Sequence, residues 1–161
     1  MQKDPQSIID ALMSKPNGFK LKGTGPVSFH LGCDFFRDED GTLCFGPRRY
    51  IDRMGDQYKK LFGTAPPQKA SSPLEKNDHP ELDDSPLLDV DDIAKYQSLI
   101  GALQWAITLG RFDLATAVMT MSGFRVAPRQ GHLERVKRIC GYLTKFQSAA
   151  IWVRTDRKSV V

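Results

Sequence analysis

The chain has 161 residues, 40% of them hydrophobic, which suits one ordinary folded domain and argues against a disordered segment. No apolar run approaches the roughly 20 residues of a membrane span, and the opening MQKDPQS has no signal-peptide core. The net charge of +4 is divided: from Ala70 to Asp92 eight acids face the single base Lys76, so that stretch carries −7 and the remainder +11.

In chain order, Asp4-Pro5 is a helix start, an N-cap acid followed by proline in the first turn. Ile8, Ile9, Leu12 and Met13 are expected to form its buried side, and Pro16-Asn17-Gly18 to stop it. Val27, Phe29, Leu31, Cys33 and Phe35 alternate with their neighbours, which predicts one strand with one buried face. Asp38 to Gly41 reads as a turn, and TLCF as the returning strand with Leu43 and Phe45 inward. That parity puts Cys33 and Cys44 on opposite faces and argues against a disulfide between them. The three cysteines are odd in number and none has zinc-ligand spacing, which suits a reduced, intracellular compartment.

Pro47 opens a helix with Tyr50, Met54, Tyr58, Leu61 and Phe62 on its apolar side and Gly63 at its end. The proline-, serine- and aspartate-rich residues 64–91 read as an extended, mobile connector. Ile93, Tyr96, Ile100, Leu103 and Ile107 form a helical stripe. Gly110 breaks it, and Phe112, Ala115, Met119 and Ser122 are read as its resumption in a second helix folded back through a tight corner. Asp89-Val90-Asp91-Asp92 imitates a metal-binding carboxylate motif, but helix capping by Asp91 or Asp92 before Ile93 explains it better.

A last helix runs from about Pro128 to Phe146, and AAIWVRT reads as a strand. Leu133, Val136, Ile139, Cys140, Leu143 and Phe146 share one arc of that helix. Arg135, Lys137, Arg138 and Lys145 share the opposite arc, with Arg129 just before it. Such a face suits phosphates, each contact contributing roughly −0.9 to a log–log salt slope. On pattern alone an ordinary solvated surface is the better reading of the same face. His132 falls on the apolar arc as a hydrogen-bonded packing residue, and His30 is expected to face solvent. No histidine pair has metal-binding spacing and no nucleophile has a visible triad partner, so no catalytic or metal residue is assigned.

These blocks carry a resemblance. Tyr96, Leu99 to Leu103, Arg111 to Leu114, Ala117-Val118, Ser122 to Phe124, Pro128, His132 and Arg138 to Leu143 fall in order on one pattern. That pattern is Y-R-x-L-I-G-S-L-x-Y, T-R-P-D-I-x-x-A-V, S-x-F, P-x-x-x-H and R-I-L-x-Y-L. It resembles the late reverse-transcriptase region of copia-type LTR retrotransposon Pol polyproteins. FHLGCDFF and RYIDRM resemble that family's F-L-G-I-x-I strand and Y-I-x-x-L helix. Gly110 and Phe112 stand where the family has threonine and proline.

The resemblance implies an α+β fold. Residues 1–46 would be the end of the palm, 47–63 a helix, 64–91 the connector, 92–147 a thumb-like helical region, and 148–155 a strand leading toward ribonuclease H. Arg111 and Asp113 match the R-P-D corner, either as a structural ion pair or, through Arg111, as a template or primer contact. The family's Y-V-D-D hairpin, which holds magnesium in the parent RNA-directed DNA polymerase, has no match here. The expectation is a fragment that helps hold an RNA/DNA template–primer duplex beside the rest of the polyprotein, without cofactor or polymerase activity of its own. A non-enzymatic basic helical module binding nucleic acid or protein is the alternative, and an inert decayed product the third. Residues 157–161 find no counterpart in the family. Asp156 to Val161 can be encoded by GAT CGG AAG AGC GTC GTG, the start of a common sequencing adapter, so a non-native tail is expected from about Asp156.

Overall fold

The computed structural model describes residues 4–14, 18–22 and 25–153. Among these residues the fold is α+β, with five α-helices and a four-stranded antiparallel sheet of order β1-β2-β3-β4. Pro16-Asn17, Arg154-Thr155 and the tail from Asp156 lie outside the described residues.

Helix α1 is Pro5–Met13, and the Asp4 side chain accepts from the Gln6 amide as its cap. Its apolar side is not the buried face expected. Ile8, Leu12 and Met13 are exposed, since no described element packs over them. The alternating run from Val27 to Phe35 is not one strand either. It is a hairpin of β1 (Phe29–His30) and β2 (Cys33–Arg37) closed by Leu31 and Gly32, whose φ values are +50° and +97°. Two successive positive φ angles give the tight turn whose twist suits flanking strands.

Strand β3 (Leu43–Gly46) follows the turn at Asp38–Gly41, and β4 (Ile151–Val153) pairs with β3. The last strand therefore closes back onto the sheet. Phe35, Phe45 and Ile151 are in register on the face toward the helices, and Phe36, Cys44 and Trp152 on the other. Cys33 and Cys44 do fall on opposite faces, and all three cysteines are buried free thiols. Burial pushes the Cys140 thiol up to about 12, which makes it a packing residue. Phe36 and Trp152 stay half-exposed and border a cleft of about 610 Å3 beside Arg48, Asp52 and Gln147.

Helix α2 (Arg48–Phe62) ends at Gly63, whose φ of +71° lets its amide reach the Lys59 carbonyl. Helix α3 (Val90–Thr108) is capped by Asp89, not by Asp91 or Asp92. The Asp89 carboxylate accepts from the Asp92 amide, and the other two acids lie in the first turn, at the positive end of the helix dipole. A 3-10 turn, Phe112–Leu114, leads into α4 (Ala115–Ser122). Helix α5 is Gln130–Lys145. The core is their common interior: Ile51, Met54 and Tyr58 of α2; Tyr96, Leu99, Ile100 and Leu103 of α3; Val118 and Met121 of α4; Leu133, Val136, Ile139 and Leu143 of α5.

Two faces differ from expectation. In α4 the buried arc is Leu114, Ala117, Val118 and Met121, while Phe112 and Met119 face outward. Phe146 is the α5 cap, exposed and packed against the Tyr142 ring in a tilted arrangement rather than buried.

Candidate nucleic-acid interface

The basic arc of α5 is occupied from within the chain. Residues 64–91 lie along it as a packed strap, with Ala70, Pro80 and Leu88 buried, not as a mobile connector. Arg135 grips Asp78 with Nε at 2.9 and 3.0 Å and Nη2 at 2.8 Å, and Asp83 with Nη1 at 2.5 Å. Arg138 pairs with Glu75 at 2.7 Å. Arg129 donates to the Ser85 carbonyl and Lys145 to that of Ala70. Lys137 pairs with Glu134 and lies over the Phe62 ring. Three acids of the stretch, Glu75, Asp78 and Asp83, are thus internal partners of the basic helix.

Two glycines make this approach possible. A side chain at Gly141 would overlap the Pro67 carbonyl oxygen, and one at Gly131 would overlap the Asp83 carboxylate. His132 fastens the same strap. Its Nδ1 accepts from the Arg129 amide at 3.0 Å, so Nε2 carries the proton donated to the Pro80 carbonyl at 2.9 Å. Its ring stacks on Phe124.

Hydrogen bonds from Ser85 and Arg135 hold the Asp83 carboxyl down at about 2, against the cost of burying it. Because the folded value lies below the unfolded one, this contribution is complete above the unfolded carboxylate range, about pH 4, and is lost as pH falls toward 2. We expect wild type to lose about 2 kcal/mol more stability than Asp83→Asn over that window, read from urea midpoints. Parallel pH profiles would refute it.

The corner residues come together. Arg111 is 1% exposed. Its Nε and Nη2 donate to Asp113 at 2.9 and 2.7 Å, and its Nη1 to the carbonyls of Phe146 at 3.0 Å and Leu143 at 3.5 Å. The guanidinium thus caps the carbonyl end of α5. Burial pulls the Asp113 carboxyl upward, but the Arg111 hydrogen bonds and charge outweigh it, leaving it below its ordinary range.

The surface with unspent capacity is on α3. From Tyr96 to Gly110 the chain carries no charge, yet Gln97, Ser98, Gly101, Trp105 and Thr108 all face solvent. They share one narrow arc opposite the buried one. Nothing lies within 4 Å of where a Gly101 Cβ would stand, and Trp105 is 45% exposed. The hairpin tip stands at one end of this strip, since a Cβ on Gly32 would lie 3.6 Å from Trp105 Nε1.

Cations flank the strip. Gln57 of α2 donates to Ser98 and Tyr50 to the Ala102 carbonyl, which sets the exposed Arg53, on the same arc of α2, along one side. Gln97 donates to the Arg125 carbonyl on the other. A charge-free run whose outward arc holds glutamine, glycine and tryptophan is visible in the sequence, but it lacks the basic residues that mark a phosphate-binding face. Among the described residues no group of three or more His, Cys, Asp or Glu could hold a metal, and no helix is long and apolar enough to cross a membrane.

Comparison with known proteins gives three retroelement relatives. The chain is 28% identical over 141 residues to a transposon Ty5-1 protein of Saccharomyces cerevisiae, covering 85% of this chain and 42% of that protein. It is 28% identical over 146 residues to a retrovirus-related Pol polyprotein from transposon TNT 1-94 of Nicotiana tabacum, and 26% over 151 residues to one from transposon RE1 of Arabidopsis thaliana. Those matches cover 88% and 94% of this chain but 11% and 10% of the polyproteins. The chain thus spans under half the length of the first relative and about a tenth of the other two. No family model and no solved structure matches.

Proposed function

From its homology to retrotransposon Pol polyproteins, we propose that this chain is the thumb-side piece of a copia-type reverse transcriptase, and that it holds a template–primer duplex while the parent's magnesium chemistry lies elsewhere in the polyprotein. The carrying observation is the uncharged, solvent-facing strip of α3 between Arg53 and Arg125.

Its chemistry suits a duplex. The wide, shallow minor groove of an A-form helix displays base edges and hydroxyls, and can receive a helix whose surface is small and neutral. Gly101 lets the α3 backbone come close, Gln97 offers its side-chain oxygen, and Trp105 presents a flat apolar face. Cations on both sides suit the phosphates of the two strands. Arg135, Arg138, Arg129 and Lys145 bond the strap and Lys137 pairs with Glu134, whereas Arg125 spends only its Nε, on the Ser122 carbonyl at 3.4 Å, and its two terminal nitrogens have no partner among the described residues.

Anisotropy of a labelled RNA–DNA hybrid titrated at several salt concentrations tests this. Arg53→Gln and Arg125→Gln should each flatten the log–log slope by about 0.9. Gly101→Leu should weaken binding with the slope unchanged. Absence of binding by the wild-type chain at low salt would end the proposal.

A further inference from the structure

The sheet meets the helical bundle around three successive residues. Cys33 Sγ donates to the Leu109 carbonyl at 3.6 Å, and a Cβ on Gly32 would stand 3.0 Å from a Leu109 methyl. Gly110, at φ +108°, lies against Ile151 of β4 and Phe45 of β3. A Cβ there would be 2.8 Å from the Ile151 Cδ1. Arg111 then reaches the carbonyls of Leu143 and Phe146, where the chain leaves α5 on its way to β4. Hairpin tip, sheet centre and the exit from α5 all bear on this one corner.

The first two contacts are apolar or weak, and they fix distance better than angle. The guanidinium is different. It is a rigid plane held by a two-pronged bond to Asp113 and by two carbonyls from another helix. From these contacts we infer that Arg111 is a positioning residue for the duplex interface, fixing the angle between the hairpin tip at Leu31-Gly32 and the strip of α3. The inference rests on the duplex reading above. It explains why so polar a group is buried at the point where sheet and bundle join. Leu31, 70% exposed at the tip, and Trp105 at the end of the strip can bear on one duplex together only while that angle holds.

The test measures angle and binding separately. Spin labels carried by keto amino acids at positions 31 and 98 spare the native thiols and report the distance from tip to strip. The wild type should give one narrow distribution. Arg111→Met should broaden it and weaken hybrid binding about tenfold, as loss of an orienting partner does at metal sites, with the salt slope unchanged. Where that variant does not fold, Arg111→Lys, which keeps the charge but not the planar two-pronged bond, should broaden it less, and a folded Arg111→Lys chain with a narrow distribution and wild-type affinity overturns the inference as well. A folded Arg111→Met chain with a narrow distribution and wild-type affinity overturns the inference. A wild-type chain that does not bind the hybrid overturns the duplex reading, and with it the role assigned to Arg111, even where the distribution responds.

Discussion

Replacing Arg135 with glutamine is expected to cost about 3 kcal/mol of folding stability and to release the strap from α5. The estimate is at the low end for breaking a buried pair because Arg135 keeps 21% exposure, while Asp78 and Asp83 keep 13% and 8%. Glutamine cannot span both carboxylates. It leaves two acids facing each other with one donor fewer than they need, and both are poorly hydrated. A basic-face reading of α5 predicts something else: an unaltered fold and a salt slope for duplex binding flattened by about 0.9. Urea unfolding, limited proteolysis within residues 64–91 and the salt titration separate the two. We expect a lower midpoint, faster cleavage and an unchanged slope. A stable, protease-resistant variant with a flattened slope would return α5 to the role its sequence suggests.

What could be read from the sequence was what is local. Asp4-Pro5, Pro47, Gly63 and Gly110 mark helix boundaries through backbone rules that hold in any context. The fold at Leu31-Gly32 escaped because Phe29, Leu31, Cys33 and Phe35 alternate along the chain as one strand would, whereas the pairing of Phe29 with Asp34 and of His30 with Cys33 puts Phe29 on the face opposite Cys33 and Phe35. No Asn-Gly or Asp-Gly marks the turn. In α4 both arcs are apolar, and the choice between Phe112 with Met119 and Leu114 with Val118 and Met121 is made by where α3 and α5 stand. The strap was beyond local reading altogether. Asp78 and Arg135 are 57 residues apart, and the same charges that read as a polyanion site and a mobile connector satisfy each other. Gly131 and Gly141 were the available hint, two glycines inside a long helix at a cost in helix propensity, tolerated because another segment passes there.

At the corner, Asp113→Asn is expected to be more destabilising than Arg111→Met, although both remove the same ion pair. The two partners sit in unlike surroundings, with side chains 2% exposed for Arg111 and 37% for Asp113. Removing the arginine leaves a carboxylate that can turn to water. It also leaves two α5 carbonyls short of a donor, a loss of about 2–3 kcal/mol. Removing the carboxylate charge leaves a guanidinium that cannot deprotonate and has nowhere to go, a loss of about 3–5 kcal/mol. The double variant should then lie close to Arg111→Met alone, because with the arginine gone the aspartate has no charge left to serve. Equilibrium unfolding of the four chains closes this cycle. An Arg111→Met loss equal to or greater than that of Asp113→Asn would mean that the carbonyl contacts to Leu143 and Phe146, and not the ion pair, hold the corner.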